Sequence, residues 1–161
     1  MSVFDPDPMV VCAVCGRRCS LYVTEGPEGR RETWTHAGDD HVVVPVSGDD
    51  VPVVPRCDFC SREDPTWGYP VRERFDVVVT VEDTAATTHV HATGWTACDA
   101  CSGFVERGDL RGLVHRALRA LRQNHVVERQ DERGTRDLLT TTYEAFFATR
   151  DERVPLPRRN A

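Results

Sequence analysis

Residues 94–101 read GWTACDAC, and residues 57–60 read CDFC. Each stretch holds two cysteines separated by two residues. Between them lies a proline-containing loop, then RFDVVVTVE (74–82). In that run Phe75, Val77, Val79 and Val81 fall on one face, and Arg74, Asp76, Thr80 and Glu82 on the other. This is the period-two pattern of a half-buried strand. DTAAT (83–87) turns the chain, and THVHATGW (88–95) is expected to return as its partner, with His89, His91 and Trp95 on one face. Such a hairpin carries the second cysteine pair back to the first. Each pair aims two sulfurs at one point, and tetrahedral zinc takes four thiolates at about 2.3 Å. Cys57, Cys60, Cys98 and Cys101 are therefore read as one closed zinc site.

The same design is expected nearer the N-terminus. Cys12 and Cys15 are followed by SLYVT (20–24), the turn-forming EGPEGR (25–30) and RETWTH (31–36), a second hairpin ending on His36. His41 lies five residues further on. Cys12, Cys15, His36 and His41 form a candidate site of two thiolates and two imidazoles, with Cys19 as a rival ligand that could replace either histidine. Twenty residues separate Cys15 from His36. DNA-reading ββα fingers use about twelve and place an amphipathic helix there. The expectation is two zinc ions and no DNA-reading finger.

Working outward, residues 42–56 are apolar but interrupted by Pro45, Pro52 and Pro55, which fits an extended connector or edge strand. Gly108 ends one segment and Asp109 can cap a helix. Leu110, Leu113, Val114, Ala117, Leu118 and Leu121 recur at helical spacing. A last helix is expected over about 135–149, bearing Leu138, Leu139, Thr142, Tyr143, Phe146 and Phe147, before a tail (154–161) that frays or extends. The reading is α+β: two small zinc-stapled β-hairpin modules, the second a treble clef followed by two C-terminal helices. Its units are an N-terminal ribbon-like module (1–46), a Pro-rich connector (47–56), a treble-clef module (57–108) and a helical part (109–161).

Residues 57–113 resemble a group of actinobacterial zinc-binding proteins. The resemblance rests on Cys57-Asp-Phe-Cys60, Trp67-Gly-Tyr69-Pro70, Gly94-Trp95-Thr-Ala-Cys98-Asp-Ala-Cys101, and Gly108-Asp109 ahead of Gly112-Leu113. It implies the fold and the metal. It implies no reaction. Trp67 and Tyr69 are expected to pack over the cysteine loop and shield the thiolates, the alternative being an exposed recognition loop. Trp95 is expected to cover the hairpin.

Composition narrows the function classes. The chain has 161 residues, a net charge of −6 and no lysine. Residues 1–104 carry 17 acidic and 8 basic side chains, net −9; residues 105–161 carry 9 acidic and 12 basic, net +3. A strongly basic nucleic-acid-binding domain looks different. The first eleven residues hold acids and prolines where a signal peptide needs positive charge and an apolar run. No stretch approaches the roughly 18 apolar residues of a membrane span. The expectation is a cytoplasmic protein with no membrane partner. In a reducing compartment its seven cysteines serve as metal ligands in preference to disulfides.

Catalytic patterns are missing. There is no His-Glu-x-x-His, no phosphate-binding glycine loop and no Gly-x-Ser-x-Gly. The zinc-deaminase order of His-x-Glu upstream of Pro-Cys-x-x-Cys is not met either. His89 and His91 read as a solvent-facing pair, with metal binding as the alternative. The sequence thus points away from an enzyme and toward a zinc-binding adaptor or regulator that presents a rigid surface to a macromolecule, in the first place a protein. Two rivals stay open. One is a nucleic-acid-binding transcriptional regulator using the arginine-rich helix 110–122, where Arg111, Arg119 and Arg122, with Arg116 nearby, could meet phosphates. The other is a metal-dependent enzyme centred on the histidine-containing site.

Overall fold

The computed structural model describes residues 10–36, 41–73, 75–81, 85–90, 94–123 and 132–157. Of residues 79–81 and 85–90 only the backbone is described. The fold is α+β, with small antiparallel sheets and, among the described residues, three helices. In chain order the strands are β1 (Val10–Cys12), β2 (Ser20–Gly26), β3 (Gly29–Thr35), β4 (Pro45–Ser47), β5 (Trp67–Pro70), β6 (Asp76–Val81), β7 (Ala85–Val90) and β8 (Gly94–Ala97). Helices α1 (Asp99–Glu106), α2 (Leu110–Gln123) and α3 (Glu132–Thr149) follow, then β9 (Val154–Pro155).

Each cysteine pair near the start of a module sits in the same loop. In the first, the Cys12 N–H donates to the Arg17 carbonyl at 2.8 Å and the Gly16 N–H to the Cys12 carbonyl at 2.7 Å. In the second, the Cys57 N–H donates to Arg62 and the Ser61 N–H to Cys57, both at 2.8 Å. The residue before the first cysteine bridges to the residue six after that cysteine in both: Val11 to Arg18, Arg56 to Glu63. The two loops are one backbone solution used twice. Its short hydrogen-bonded circuit turns both sulfurs of a pair to one side.

The two expected hairpins form, β2 with β3 and β6 with β7. They do not stay separate. β2 also pairs with β7, from Leu21↔Val90 to Glu25↔Ala86, giving a four-stranded sheet in the order β3-β2-β7-β6. Val77 of β6 points inward and is buried, while its neighbour Val78 is exposed, as the alternating pattern requires.

One core joins the second module to the helices. Phe59, at the tip of the Cys57–Cys60 loop, has its ring centroid 5.3 Å from each of Trp95, Tyr143 and Phe146. Trp95 lies 4.9 Å from Phe146. Leu113, Val114, Ala117 and Leu118 of α2 bury the predicted stripe in this same cluster. Asp109 caps α2 by accepting the Gly112 N–H at 2.8 Å. Two short hairpins cannot supply a core of this size, and α2 and α3 provide the missing apolar faces.

Three local expectations are corrected. The segment expected to return as one strand over 88–95 is divided: β7 ends at Val90, and Gly94–Ala97 pairs with β5 in a different sheet. The loop holding Trp67 and Tyr69 is strand β5, because its backbone finds partners on both sides, β8 and β9. The last helix begins at Glu132, where the Glu132 carboxylate engages Arg122 and Arg136 and supports a first turn that composition alone disfavours. The tail is extended at its start, as one of the two expectations has it: Val154 and Pro155 pair with Gly68 and Trp67.

Candidate metal centres

β1 delivers Cys12, and its pairing with β4 brings the chain after His41 alongside it. The β2–β3 hairpin returns His36 to the same place. The result is a set of Cys12, Cys15, His36 and His41 whose ligand atoms all lie within 4.8 Å of one another. Cys12 Sγ is 3.4 Å from His41 Nε2, Cys15 Sγ is 3.7 Å from His36 Nε2, and the two Nε2 atoms are 3.0 Å apart. Tetrahedral zinc with Zn–S of about 2.3 Å and Zn–N of about 2.0 Å needs S···N edges of about 3.5 Å and an N···N edge of about 3.3 Å. The set fits that ion. Cys19 stays outside it. Its thiol is buried and directed at the Arg17 carbonyl, 3.8 Å away. Burial, with Cys12 and Cys15 nearby, pushes it up to about 11.

The second set is Cys57, Cys60, Cys98 and Cys101, all buried, again with sulfurs within 4.8 Å. Cys60 and Cys98 are 3.7 Å apart, close to the S···S edge of about 3.8 Å that tetrahedral zinc requires. Cys98 occupies the N-cap of α1 and Cys101 its first turn, so the positive end of the helix faces the thiolates. Asp58 secures the loop to β8. Its carboxylate accepts the Thr96 N–H at 2.6 Å and the Thr96 hydroxyl at 3.1 Å.

The proton chemistry of the sets favours a cation. Burial acts to raise the Cys12 thiol, but backbone N–H groups of Val44 and Val14, with His41, overcome it and bring it down to about 5. In the four-cysteine set, Cys101 and Cys57 pull Cys60 down to about 6, and the contact with Cys101 draws Cys98 down as well. Hydrogen bonding to Cys101 and Cys60 pushes Cys57 up. For Cys101 the contact with Cys57 pulls down, yet Cys60, Cys98 and burial outweigh it and push the thiol up. Sulfurs this close share protons unevenly, and a dication lets all four ionise together. Among the described residues the chain therefore carries two zinc-type ligand sets, one of two cysteines and two histidines and one of four cysteines.

The remaining candidates are distributed differently from the expectation. Arg111, Arg119 and Arg122 of α2 are exposed at the surface, and Arg122 engages Glu132. Arg116 turns inward: its Nε–H donates to Cys101 Sγ at 3.2 Å. The signal was present in the spacing. Arg116 stands three residues after the buried Leu113 and four before the buried Ala120, off the line of Arg111, His115 and Arg119. Tyr69 is fully buried and shares a hydrogen bond of 2.8 Å with the Ser102 hydroxyl, also donating to Glu106 at 3.0 Å. Trp67 donates to Asp99, next to Cys98, at 2.9 Å. Trp95 is buried in the aromatic cluster. The His89 side chain and His91 lie outside the described residues. Among the described residues no helix is long and apolar enough to cross a membrane.

Compared with protein-family models, curated proteins and solved structures, the chain gives no match.

Proposed function

We propose that the chain is a non-catalytic zinc-binding adaptor or regulator, which uses its metal-stapled loops to present a rigid surface to a protein partner. The observation that carries this reading is the placement of exposed apolar side chains. Val14, Val42 and Val44 are 61%, 83% and 44% exposed. Val14 lies between the ligands Cys12 and Cys15, Val42 directly follows His41, and Val44 is hydrogen-bonded through its carbonyl to Ala13. Apolar side chains held out to water around a rigid ligand set are what a protein partner covers. Both sets already have four protein ligands, whereas a catalytic zinc keeps a position open.

The arginine helix supports the nucleic-acid reading less well, because Arg116 is turned to Cys101 and Arg122 is engaged by Glu132. A cysteine loop, strands, and a helix carrying Cys101 in its first turn support a treble-clef assignment for the second module, in line with the resemblance to the actinobacterial group. Seven free cysteines fit a reducing compartment such as the cytosol.

The test is affinity capture with the zinc-loaded protein and with Val14→Asp/Val42→Asp, using Val78→Asp as an exposed control elsewhere. The reading expects a protein retained by wild type and by the control and lost with the double variant, at unchanged zinc content. Equal retention by all three proteins overturns it. A salt-sensitive gel shift abolished by Arg111→Ala/Arg119→Ala would favour the nucleic-acid rival instead.

A further inference from the structure

Four thiolates around one dication leave the four-cysteine set doubly negative, whereas two thiolates and two neutral imidazoles leave the mixed cysteine–histidine set uncharged. The charged set is the more deeply buried of the two. Excess charge held away from water is costly unless a counter-charge accompanies it. Arg116 provides one, with its Nε–H donating to Cys101 Sγ at 3.2 Å. A guanidinium is well suited to this place. It is always charged, weakly hydrated, and donates from a fixed plane.

We infer that Arg116 is the outer partner of the four-cysteine set: its hydrogen bond holds electron density on the Cys101 sulfur, offsets part of the excess charge, and sets how slowly the site gives up its zinc. The position of the residue supports this. Arg116 sits at the margin of the buried stripe of α2, between Leu113 and Ala120 on one side of the helix, so packing of α2 against α1 aims it. The same helix thus has two tasks, filling the core with Leu113, Val114, Ala117 and Leu118 and supplying the donor to the metal ligand. Arg116 is a positioning residue and not a ligand.

The test uses the full chain loaded with zinc, and separately with cobalt. Zinc transfer to a chromogenic chelator is followed without denaturant for wild type, Arg116→Ala, Arg116→Lys and Arg119→Ala. Loss of an outer-shell partner weakens metal affinity by about 10–100-fold. The phase belonging to the four-cysteine set should therefore accelerate on the order of ten-fold in Arg116→Ala. It should fall between wild type and Arg116→Ala in Arg116→Lys, and stay unchanged in Arg119→Ala. The phase of the mixed cysteine–histidine set should stay constant throughout and serve as the internal reference. In the cobalt protein, removing a hydrogen bond from a thiolate raises the sulfur donor level, so the sulfur-to-metal charge-transfer band should move to lower energy in Arg116→Ala. A role in packing alone leaves that band in place. Should Arg116→Ala fail to fold, Arg116→Met, which keeps the stem without the donor, is measured by the same criteria. Release rates and band energies equal to those of Arg119→Ala overturn the inference.

Discussion

Gly16 and Ser61 occupy the same position in two copies of one loop, each directly after the second cysteine of a pair and each in left-handed backbone, with φ of 68° and 60°. Their surroundings differ. A Cβ on Gly16 would lie 2.5 Å from the Pro52 carbonyl oxygen, because the connector folds back and Val54 donates its N–H to Gly16. Ser61 already carries a side chain there. Glycine relieves left-handed strain of about 1–2 kcal/mol but loses more chain entropy on folding. Ser61→Gly should therefore change stability by less than about 1 kcal/mol, whereas Gly16→Ser should cost more than about 2 kcal/mol through strain and clash together. Denaturant titration of the zinc-loaded variants measures both.

The two ligand sets should fail differently. Structural zinc contributes about 10–16 kcal/mol in small fingers, against a net domain stability of about 5–15 kcal/mol. Cys98→Ser breaks the set that adjoins Phe59, Trp95 and Phe146, so it should remove one zinc and the near-ultraviolet signal of the aromatic cluster. Cys12→Ser should also remove one zinc yet retain most of that signal. Elemental analysis and circular dichroism on the same samples separate the two results.

Alkaline titration should be silent until the fold gives way. Burial pushes Tyr69 up to about 12, and pushes Tyr22 and Tyr143 up as well. These are the three tyrosines of the chain. The unfolded chain ionises at about 10. The native state thus holds its phenolic protons more tightly, and their stabilising contribution is full below about pH 10. For Tyr69 it is lost as pH rises through the folded value of about 12. Phenolate absorbance should stay flat to about pH 10 and then rise together with loss of tertiary signal. A separate tyrosine transition at about pH 10 with the fold intact would contradict this.

Arg153 fastens the C-terminal segment to the second module. Its guanidinium lies 3.9 Å from the Trp67 ring centroid and donates to the Ser102 hydroxyl at 2.7 Å, the same hydroxyl that meets Tyr69. Arg153→Ala should cost about 1–2 kcal/mol and move Trp67 emission to the red as water reaches the indole. Arg153→Lys should recover part of the stacking but less of the hydrogen bond. Thermal melts and fluorescence report both effects.

The four-cysteine set was legible in the sequence because two tight pairs flank a hairpin; in the first set spacing joined Cys12 to Cys15 but left Cys19 a rival to His36 and His41, and the fold turns Cys19 away to the Arg17 carbonyl. The stripe of α2 was legible because periodicity reports burial directly. The structure differs where partners are distant in the chain. Trp67–Pro70 contains a glycine and a proline and has no strand pattern of its own; it is a strand because Gly94–Ala97 and Val154–Pro155 pair with it. Phe59 reads as a spacer between two cysteines, and its place at the centre of the aromatic cluster depends on α3, whose Tyr143 and Phe146 arrive from far along the chain. The spacing of Arg116 sets it off the line of Arg111 and Arg119, but its partner, Cys101, becomes visible only once α2 packs beside α1.

The ladder between β2 and β7 limits how this protein can be taken apart. Severing the gene within residues 47–56 would yield two fragments, each able to retain its own ion and each with a naked row of peptide groups where the other had been. Such rims recruit whatever strand is at hand. The fragments should clump when produced alone and dissolve when produced together, which makes reassembly in a split-reporter format a natural use for the seam.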